Sequence, residues 1–365
     1  MKSNFGNWLD EKNTSKPLYI AGPCSAETRE QVLEIATKLQ FSKATVFRAG
    51  VWKPRTRPDS FEGVGEAALP WLKEVKETTG LKIAIEVAKP KHVELALKYG
   101  IDILWIGARS SVNPFTVQEL ADSLRGIENI ILVKNPVIPD LDLWIGAVER
   151  LMKRNVRNIG VIHRGFASYS PTNYRNQPNW QIPLDFKNNF PEIPMICDPS
   201  HICGRRDCIE KISQTALDLQ YDGLMIETHN NPDKALSDSQ QQITPESFKE
   251  ISEKLIVRHK DTHNKGYKEQ LDNFRTMIDS IDIKLIELLN ERMSVVSDIG
   301  KLKIVNNIAV FQQERFKKLL DNMVNQGMIS GLSHEFIIGI FKEIHLESIR
   351  IQEKIFTPDN SNDQI

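Results

Sequence analysis

The sequence predicts two domains, an α/β barrel of the (β/α)8 TIM type followed by an all-α domain of three helices, on three observations. Short Val/Ile-rich runs alternate with longer amphipathic segments over the first ~255 residues. Near Leu271 that alternation gives way to an unbroken apolar stripe at helical spacing. Between the two patterns lies a polar, charged stretch, Arg258–Gly266 (RHKDTHNKG), which reads as a linker.

Strands are predicted near Leu18–Ala21, Thr45–Ala49, Lys82–Val87, Ile103–Gly107, Ile130–Lys134, Asn158–His163, Pro194–Asp198 and Gly223–Glu227. Apolar runs of this kind, buried on both faces, suit a parallel sheet. Helix-like stretches such as Arg29–Leu39, Glu66–Thr79 and Arg206–Leu219 separate them. Eight such units fit the roughly 250 residues a barrel needs. A doubly wound open sheet is the competing architecture. The barrel is preferred because polar residues end nearly every strand. Beyond the linker, Phe274, Ile278, Ile281, Leu285, Leu288, Arg292, Val295, Ile299 and Leu302 mark one face of a long helix, with no Gly or Pro until Gly300. Two further helices are predicted, over Val310–Asn325 and Ser333–Ile355, the last capped by Ser333. The expected division is 1–257 for the barrel, 258–268 for the linker, 269–356 for the helical domain and 357–365 for a polar tail.

Composition narrows the function. A chain of 365 residues has room for two domains of ordinary size, each with its own core. Hydrophobic residues at 40% and charged residues at 26% describe a soluble globular protein. A net charge of −1 leaves no basic surplus for nucleic acid or an anionic membrane, so clustered Arg and Lys are expected to serve small anionic substrates. The N-terminus carries no apolar leader, and no run is long enough to span a bilayer. Cys24, Cys197, Cys203 and Cys208 form no CxxC pair and no disulfide framework, so a reducing, cytoplasmic setting is expected.

The strand ends carry Cys24 in GPCS, Arg48 in FRAG, Glu86, Arg109 in GARSS, Lys134 in VKNP, Arg164 in HRG, His201 in DPSH and Glu227 in ETHN. Singly, each has a plain reading, since a Cys is usually buried and an Arg usually solvated. Together, at the end where barrels build their sites, they read as one constellation. Cys24, His201, Glu227 and Asp238 form a mixed S/N/O set suited to a divalent transition metal, with manganese first and cobalt, iron and zinc as alternatives. Magnesium and calcium prefer oxygen alone.

The motifs GPCSAE, FRAGVWKPRT, GARSS, DPSH, ETHN and LSDSQQQ resemble those of the 3-deoxy-D-arabino-heptulosonate 7-phosphate (DAHP) synthases, short barrel type, over residues 17–256. The resemblance implies a metal-dependent barrel that condenses phosphoenolpyruvate with erythrose 4-phosphate. It implies Cys24, His201, Glu227 and Asp238 as metal ligands, and Arg109, Lys134 and Arg164 around the phosphoenolpyruvate phosphate. Arg48 and Lys53 take its carboxylate, and Lys53, Arg55 and Thr56 of KPRT line the aldose phosphate end. Lys53 is also a candidate for moving a proton, on the expectation that a crowded cationic pocket lowers its pKa. Many relatives flank the Arg164 equivalent with an acidic residue and a second Arg. Here those positions are His163 and Ala167, which leaves Ser168 or Arg175 for the aldose phosphate. The rival reading is a barrel like 3-deoxy-D-manno-octulosonate 8-phosphate synthase, a family that lacks KPRT, and KPRT at Lys53–Thr56 decides for erythrose 4-phosphate.

In the helical half, Arg292 interrupts the apolar stripe, and Ser348 interrupts a second one, with Gln352 one turn on and Lys303 near the same face. A single Arg can snorkel to solvent. Several polar groups on buried faces instead imply a cavity with an anionic guest. Residues 271–356 resemble the all-helical chorismate mutases, three-helix chains that pair as an intertwined dimer. The resemblance implies that Arg292 binds a carboxylate, supported by Arg315, with Arg275 reaching a partner's site. Lys303 and Gln352 then bond the ether oxygen of the breaking bond, and Ser348 lies beside them. Where relatives have Asp and Glu facing the substrate hydroxyl, this chain has Gln312 and Phe316, so reduced turnover is expected. The expected enzyme is bifunctional and homodimeric through its helical domain, with prephenate or chorismate inhibiting the barrel. The alternative is a helical domain that only senses these metabolites.

Overall fold

The computed structural model describes residues 17–53, 60–169, 173–259 and 261–356. The chain forms two compact units, Met1–Lys260 and Asp261–Ile365.

In the first unit eight parallel strands close a barrel in sequence order: β1 (Leu18–Gly22), β2 (Val46–Ala49), β3 (Lys82–Val87), β4 (Ile103–Ile106), β5 (Ile130–Lys134), β6 (Ile159–His163), β7 (Met195–Cys197) and β8 (Gly223–Glu227). β8 returns to β1 in register, Leu18 against Gly223 and Gly22 against Glu227. The open-sheet alternative is thereby set aside. Around the barrel run α1 (Arg29–Leu39), α2 (Leu69–Thr79), α3 (Pro90–Lys98), α4 (Pro114–Ser123), α5 (Leu141–Lys153), α6 (Gln181–Asn189), α7 (Pro199–Cys203), α8 (Ile209–Asp218) and α9 (Pro245–Lys254). Side chains start several of them where the sequence has a cap followed by proline: Asn113 accepts from Phe115 and Thr116 N–H, and Thr244 from Ser247 N–H.

The period of two along each strand sorts side chains between two cores. Leu18, Ile20, Val46, Ala84, Ile103, Trp105, Ile130, Leu132, Ile162, Ile196 and Met225 fill the barrel interior. Their neighbours Tyr19, Phe47, Ile83, Ile85, Leu104, Ile131, Val133 and Val161 pack outward against the helices. Truncating a fully buried interior residue such as Leu132 to Ala would cost about 2–5 kcal/mol. Gly22 is required where β1 meets β2. Its φ is +146°, and a Cβ there would lie 2.1 Å from the Arg48 carbonyl oxygen.

The second unit comprises α10 (Lys265–Val305), α11 (Gln313–Ile329) and α12 (His334–Phe356). α10 begins at Lys265, inside the stretch read as linker, because Asn264 caps it by accepting from Tyr267 N–H at 3.1 Å. It also runs through Gly300. There the missing side chain admits α12, since a Cβ would lie 3.0 Å from Ile355 Cδ1. Much of the predicted stripe on α10 is exposed in the single chain, Phe274 at 62% and Leu288 at 60%. A further difference concerns cysteine: the turn after α7 brings the Cα atoms of Cys203 and Cys208 to 6.0 Å, within disulfide reach, against the expectation of no pairing. Among the described residues, no helix is long and apolar enough to cross a membrane.

Candidate active sites

Strand parity builds the barrel site. Continuing the inward positions by two brings Arg48, Glu86 and Lys134 into a polar layer above the apolar interior, with Asp198 and Glu227 following Ile196 and Met225 in the same way. Cys24, Glu227 and Asp238 place their ligand atoms within 4.8 Å of one another. His201, on α7, joins them with Nε2 3.7 Å from Glu227 Oε1. Its Nδ1 is held by Asp198 Oδ1 at 3.0 Å, and Asp198 also caps α7 by accepting from His201 N–H. The structure therefore clusters three of the four predicted ligands, Cys24, Glu227 and Asp238, and sets His201 beside Glu227.

These residues fit a cation. Gln241 Nε2 donates to Glu227 Oε2 at 2.7 Å, but buried Glu227 Oε1 accepts no hydrogen bond. Burial above all holds His201 below the ordinary histidine pKa, so its Nε2 turns a lone pair toward a carboxylate oxygen. Two facing acceptors call for a positive ion between them. Burial and then the Glu227 charge push the Cys24 thiol up to about 12, and its Sγ donates to Asp238 Oδ2 at 3.2 Å. A bound cation reverses that preference by favouring the thiolate. Burial opposes ionisation of Asp238, yet Arg175, His201 and Lys53 hold it well below the usual carboxylate range.

A cationic wall adjoins this set. Arg48 is fully buried, with Nη2 3.2 Å from Glu227 Oε1 and its guanidinium 5.0 Å above the Trp105 ring. Its Nε and Nη1 have no hydrogen-bond partner, which leaves two donors for an anion. Lys134 Nζ bonds Asp198 Oδ2 at 2.8 Å. Arg164 Nη1 donates to Asn176 Oδ1 at 2.6 Å, while Asn135 Oδ1 accepts from Arg164 N–H at 2.7 Å and fixes the turn. Burial, joined by the charges of Arg175 and Arg109, pulls Arg164 down to about 10. Arg109 itself is exposed on the turn after β4. Lys53 Nζ donates to Cys24 O and contacts Cys24 Sγ, both at 2.9 Å. Contrary to the sequence expectation, its pKa is raised: burial opposes the charge, but Cys24 and Glu227 outweigh burial and the Arg48 charge. Arg55 and Thr56 lie outside the described residues.

Of the two candidates for the aldose phosphate, Ser168 is exposed. Arg175 is committed to Asp238 Oδ1 at 3.0 Å and Gln241 Oε1 at 2.6 Å. It lines a cleft of about 710 Å³ with Tyr174, Gly204, Asp238 and Gln241. His163 has outward parity and is a core residue, accepting at Nδ1 from Tyr221 Oη at 2.9 Å and donating from Nε2 to Pro178 O at 2.7 Å. Asp198, Trp105, Asn176 and Gln241 were not singled out from the sequence. Parity alone could have found Asp198 and Trp105. Asn176 comes from a loop and Gln241 from a single 3-10 turn, Ser239–Gln241.

In the helical unit Arg292 does not snorkel to solvent. Its Nη1 donates to Ser348 Oγ at 2.7 Å. Lys303 Nζ bonds Val310 O at 2.6 Å, and Gln352 Nε2 bonds Ser348 O at 3.1 Å with Oε1 buried and unpartnered. Burial lowers the pKa of both Arg292 and Lys303. Phe316 stacks on His345, which the sequence reading passed over although it lies on the face of Ser348 and Gln352. Gln312 and Arg315 are exposed, and Arg275 pairs with Asp272 about 25 Å along α10 from Arg292.

Each of the two units matches a known family. Residues 11–263 match the DAHP synthetase I family, and residues 274–353 match chorismate mutase type II. A phospho-2-dehydro-3-deoxyheptonate aldolase of Thermotoga maritima is 31% identical over 236 residues, 65% of this chain and 68% of the relative. The crystal structure of a Thermotoga maritima enzyme of that name superposes with a TM-score of 0.60 at 30% identity, covering 66% of this chain and 68% of the other. A bifunctional chorismate mutase/prephenate dehydratase of Buchnera aphidicola is 39% identical over 82 residues, 22% of this chain and 21% of the relative. The chain belongs to the DAHP synthetase I family and carries a chorismate mutase type II domain after its barrel.

Proposed function

We propose that the chain is a bifunctional enzyme of aromatic biosynthesis. Its barrel condenses phosphoenolpyruvate with erythrose 4-phosphate, and its helical domain rearranges chorismate to prephenate. The observation that carries the first activity is the polar layer itself, where buried Arg48 keeps two unpaired donors beside the cluster of Cys24, Glu227 and Asp238, with His201 next to Glu227.

In this reading Arg48 and Lys53 bind the phosphoenolpyruvate carboxylate. Arg109, Lys134 and Arg164 hold its phosphate, for which arginine forks are well shaped. Lys53, Arg55 and Thr56 hold the aldose phosphate end. C3 of the enol attacks the aldehyde carbon, water adds at C2, and phosphate leaves into the cationic wall. Glu86, which accepts from Trp105 Nε1 at 3.1 Å, is placed to offset positive charge developing at C2. A divalent transition metal on Cys24, His201, Glu227 and Asp238 supplies Lewis-acid polarisation of the aldehyde carbonyl when bound. Manganese heads the candidates.

The helical site works by positioning and fixed charge. Arg292 binds a carboxylate, and Lys303 and Gln352 stabilise charge on the ether oxygen. The exposed stripe of α10 supports a homodimer through this unit, with Arg275 serving the partner's site. Feedback follows from the pairing of activities: prephenate or chorismate in the helical site inhibits the barrel, which asks for a coupling of about 1–3 kcal/mol. Phe316 in the pocket keeps open a domain that chiefly senses these ligands.

Paired assays on the intact chain test the reading, one for phosphoenolpyruvate consumption and one for chorismate loss. Erythrose 4-phosphate should be used far better than arabinose 5-phosphate; a preference for the five-carbon sugar overturns the substrate assignment. Prephenate should inhibit condensation in the parent and not in Arg292→Ala. Equal inhibition of both removes the helical site as sensor.

A further inference from the structure

His345 lies on α12 three residues before Ser348 and seven before Gln352, on one face of the helix. Its ring is stacked on Phe316 of α11, centroids 3.9 Å and planes 16° apart, with the Phe311 ring 5.9 Å away. This aromatic seat fixes the imidazole. Its Nε2 is nonetheless buried without a hydrogen-bond partner, as is Gln352 Oε1. Burial, and then the charges of Arg292 and Lys303 on α10, hold the ring below the ordinary histidine pKa, so it is neutral at pH 7.

Two cations of α10 thus act on a face of α12 that carries two unsatisfied neutral atoms. Arg292 suits a carboxylate of a dianion, and Lys303 the ether oxygen between its two halves. A neutral imidazole beside them suits a hydroxyl, which both donates and accepts, so either ring tautomer serves. Phe316 offers no hydrogen bond and acts as the platform.

We propose that His345 is a substrate-contacting residue of the helical site, its Nε2 hydrogen-bonding the hydroxyl of the dianion held by Arg292 and Lys303. The proposal rests on the mutase reading and adds a residue to it.

His345→Phe in the intact chain keeps the stacked ring and removes the nitrogen. The KM for chorismate should rise roughly 5–10-fold, the size of one neutral hydrogen bond, with kcat moving less. The melting temperature of the helical unit should hold or rise, because an unpaired buried atom is gone. His345→Gln should recover part of the KM. A structural histidine gives the reverse pattern, a lowered melting temperature with KM unchanged, and that result overturns the proposal. Arg292→Ala and calorimetric titration with prephenate run alongside. If the parent turns over chorismate, Arg292→Ala does not, and His345→Phe matches the parent in KM and prephenate affinity, only the His345 assignment falls. If the parent neither converts chorismate nor binds prephenate, the mutase reading falls and takes the proposal with it.

Discussion

Replacing Asp198 with Asn tests whether one buried carboxylate both stabilises the barrel and orients a metal ligand. The side chains of Asp198 and Lys134 are 0% and 5% exposed, and their charged atoms are 2.8 Å apart. Burial opposes ionisation of Asp198, but His201 and Lys134 hold its carboxyl well below the usual range. Removing one partner of such a pair costs about 3–5 kcal/mol, because the other charge stays buried. The lower end applies here. Lys134 keeps the Trp105 ring at 5.7 Å, and an amide oxygen still accepts from His201 Nδ1. At roughly 2–4 °C per kcal/mol for a domain of this size, about 3 kcal/mol lowers the melting temperature by about 6–12 °C. Every Trp in the chain precedes residue 181, so tryptophan fluorescence reports the barrel unit alone. Metal affinity, measured by titration, should fall by about 10-fold as His201 loses its charged orienter. Adding Lys134→Met should recover part of the stability and none of the affinity. An Asp198→Asn melt indistinguishable from the parent, with unchanged metal affinity, would falsify the argument.

Chelation, or His201→Ala, should abolish condensation and leave chorismate turnover intact; condensation by rigorously metal-free protein would remove the metal's role. Arg292→Ala should eliminate chorismate rearrangement while circular dichroism shows the helices kept, and a variant as fast as the parent would return Arg292 to an ordinary packing role. His163 concerns pH. Burial lowers its folded pKa to about 3, against about 6.5 unfolded, so below pH 6.5 the unfolded chain takes a proton that the folded one refuses. Its contribution is complete above pH 6.5 and is lost by up to about 1.4 kcal/mol per pH unit down to about pH 3. His163→Gln should flatten the acid limb of stability by about one proton, read by fluorescence-monitored urea melts; an unchanged slope means that the ring is protonated in the fold.

The barrel was legible because parallel strands buried on both faces are short apolar runs, and burial is written in composition. α10 was legible from its helical spacing instead, since its stripe is largely exposed in the single chain. The residues at strand ends were legible too, since a barrel carries all its strand C-termini to one side. Edges were less so: α10 starts within the charged stretch because Asn264 caps it, a single side-chain bond that a polar run does not announce. What the sequence by itself determined is which residues ride on which element, and hence which share a face. Only the tertiary structure decided how they pair. That Lys134 takes Asp198 as its partner, that Lys53 is held up in pKa by Cys24 and Glu227, and that Arg175 is occupied by Asp238 each depend on contacts between residues distant in the chain. The same is true of His345, set between Phe316 and two cations by the packing of α11 and α10 against α12. Periodicity fixes direction from the helix or strand axis, whereas charge and hydrogen bonding act over a few ångströms of space. Only the closed barrel and the packed helices bring those distances into being.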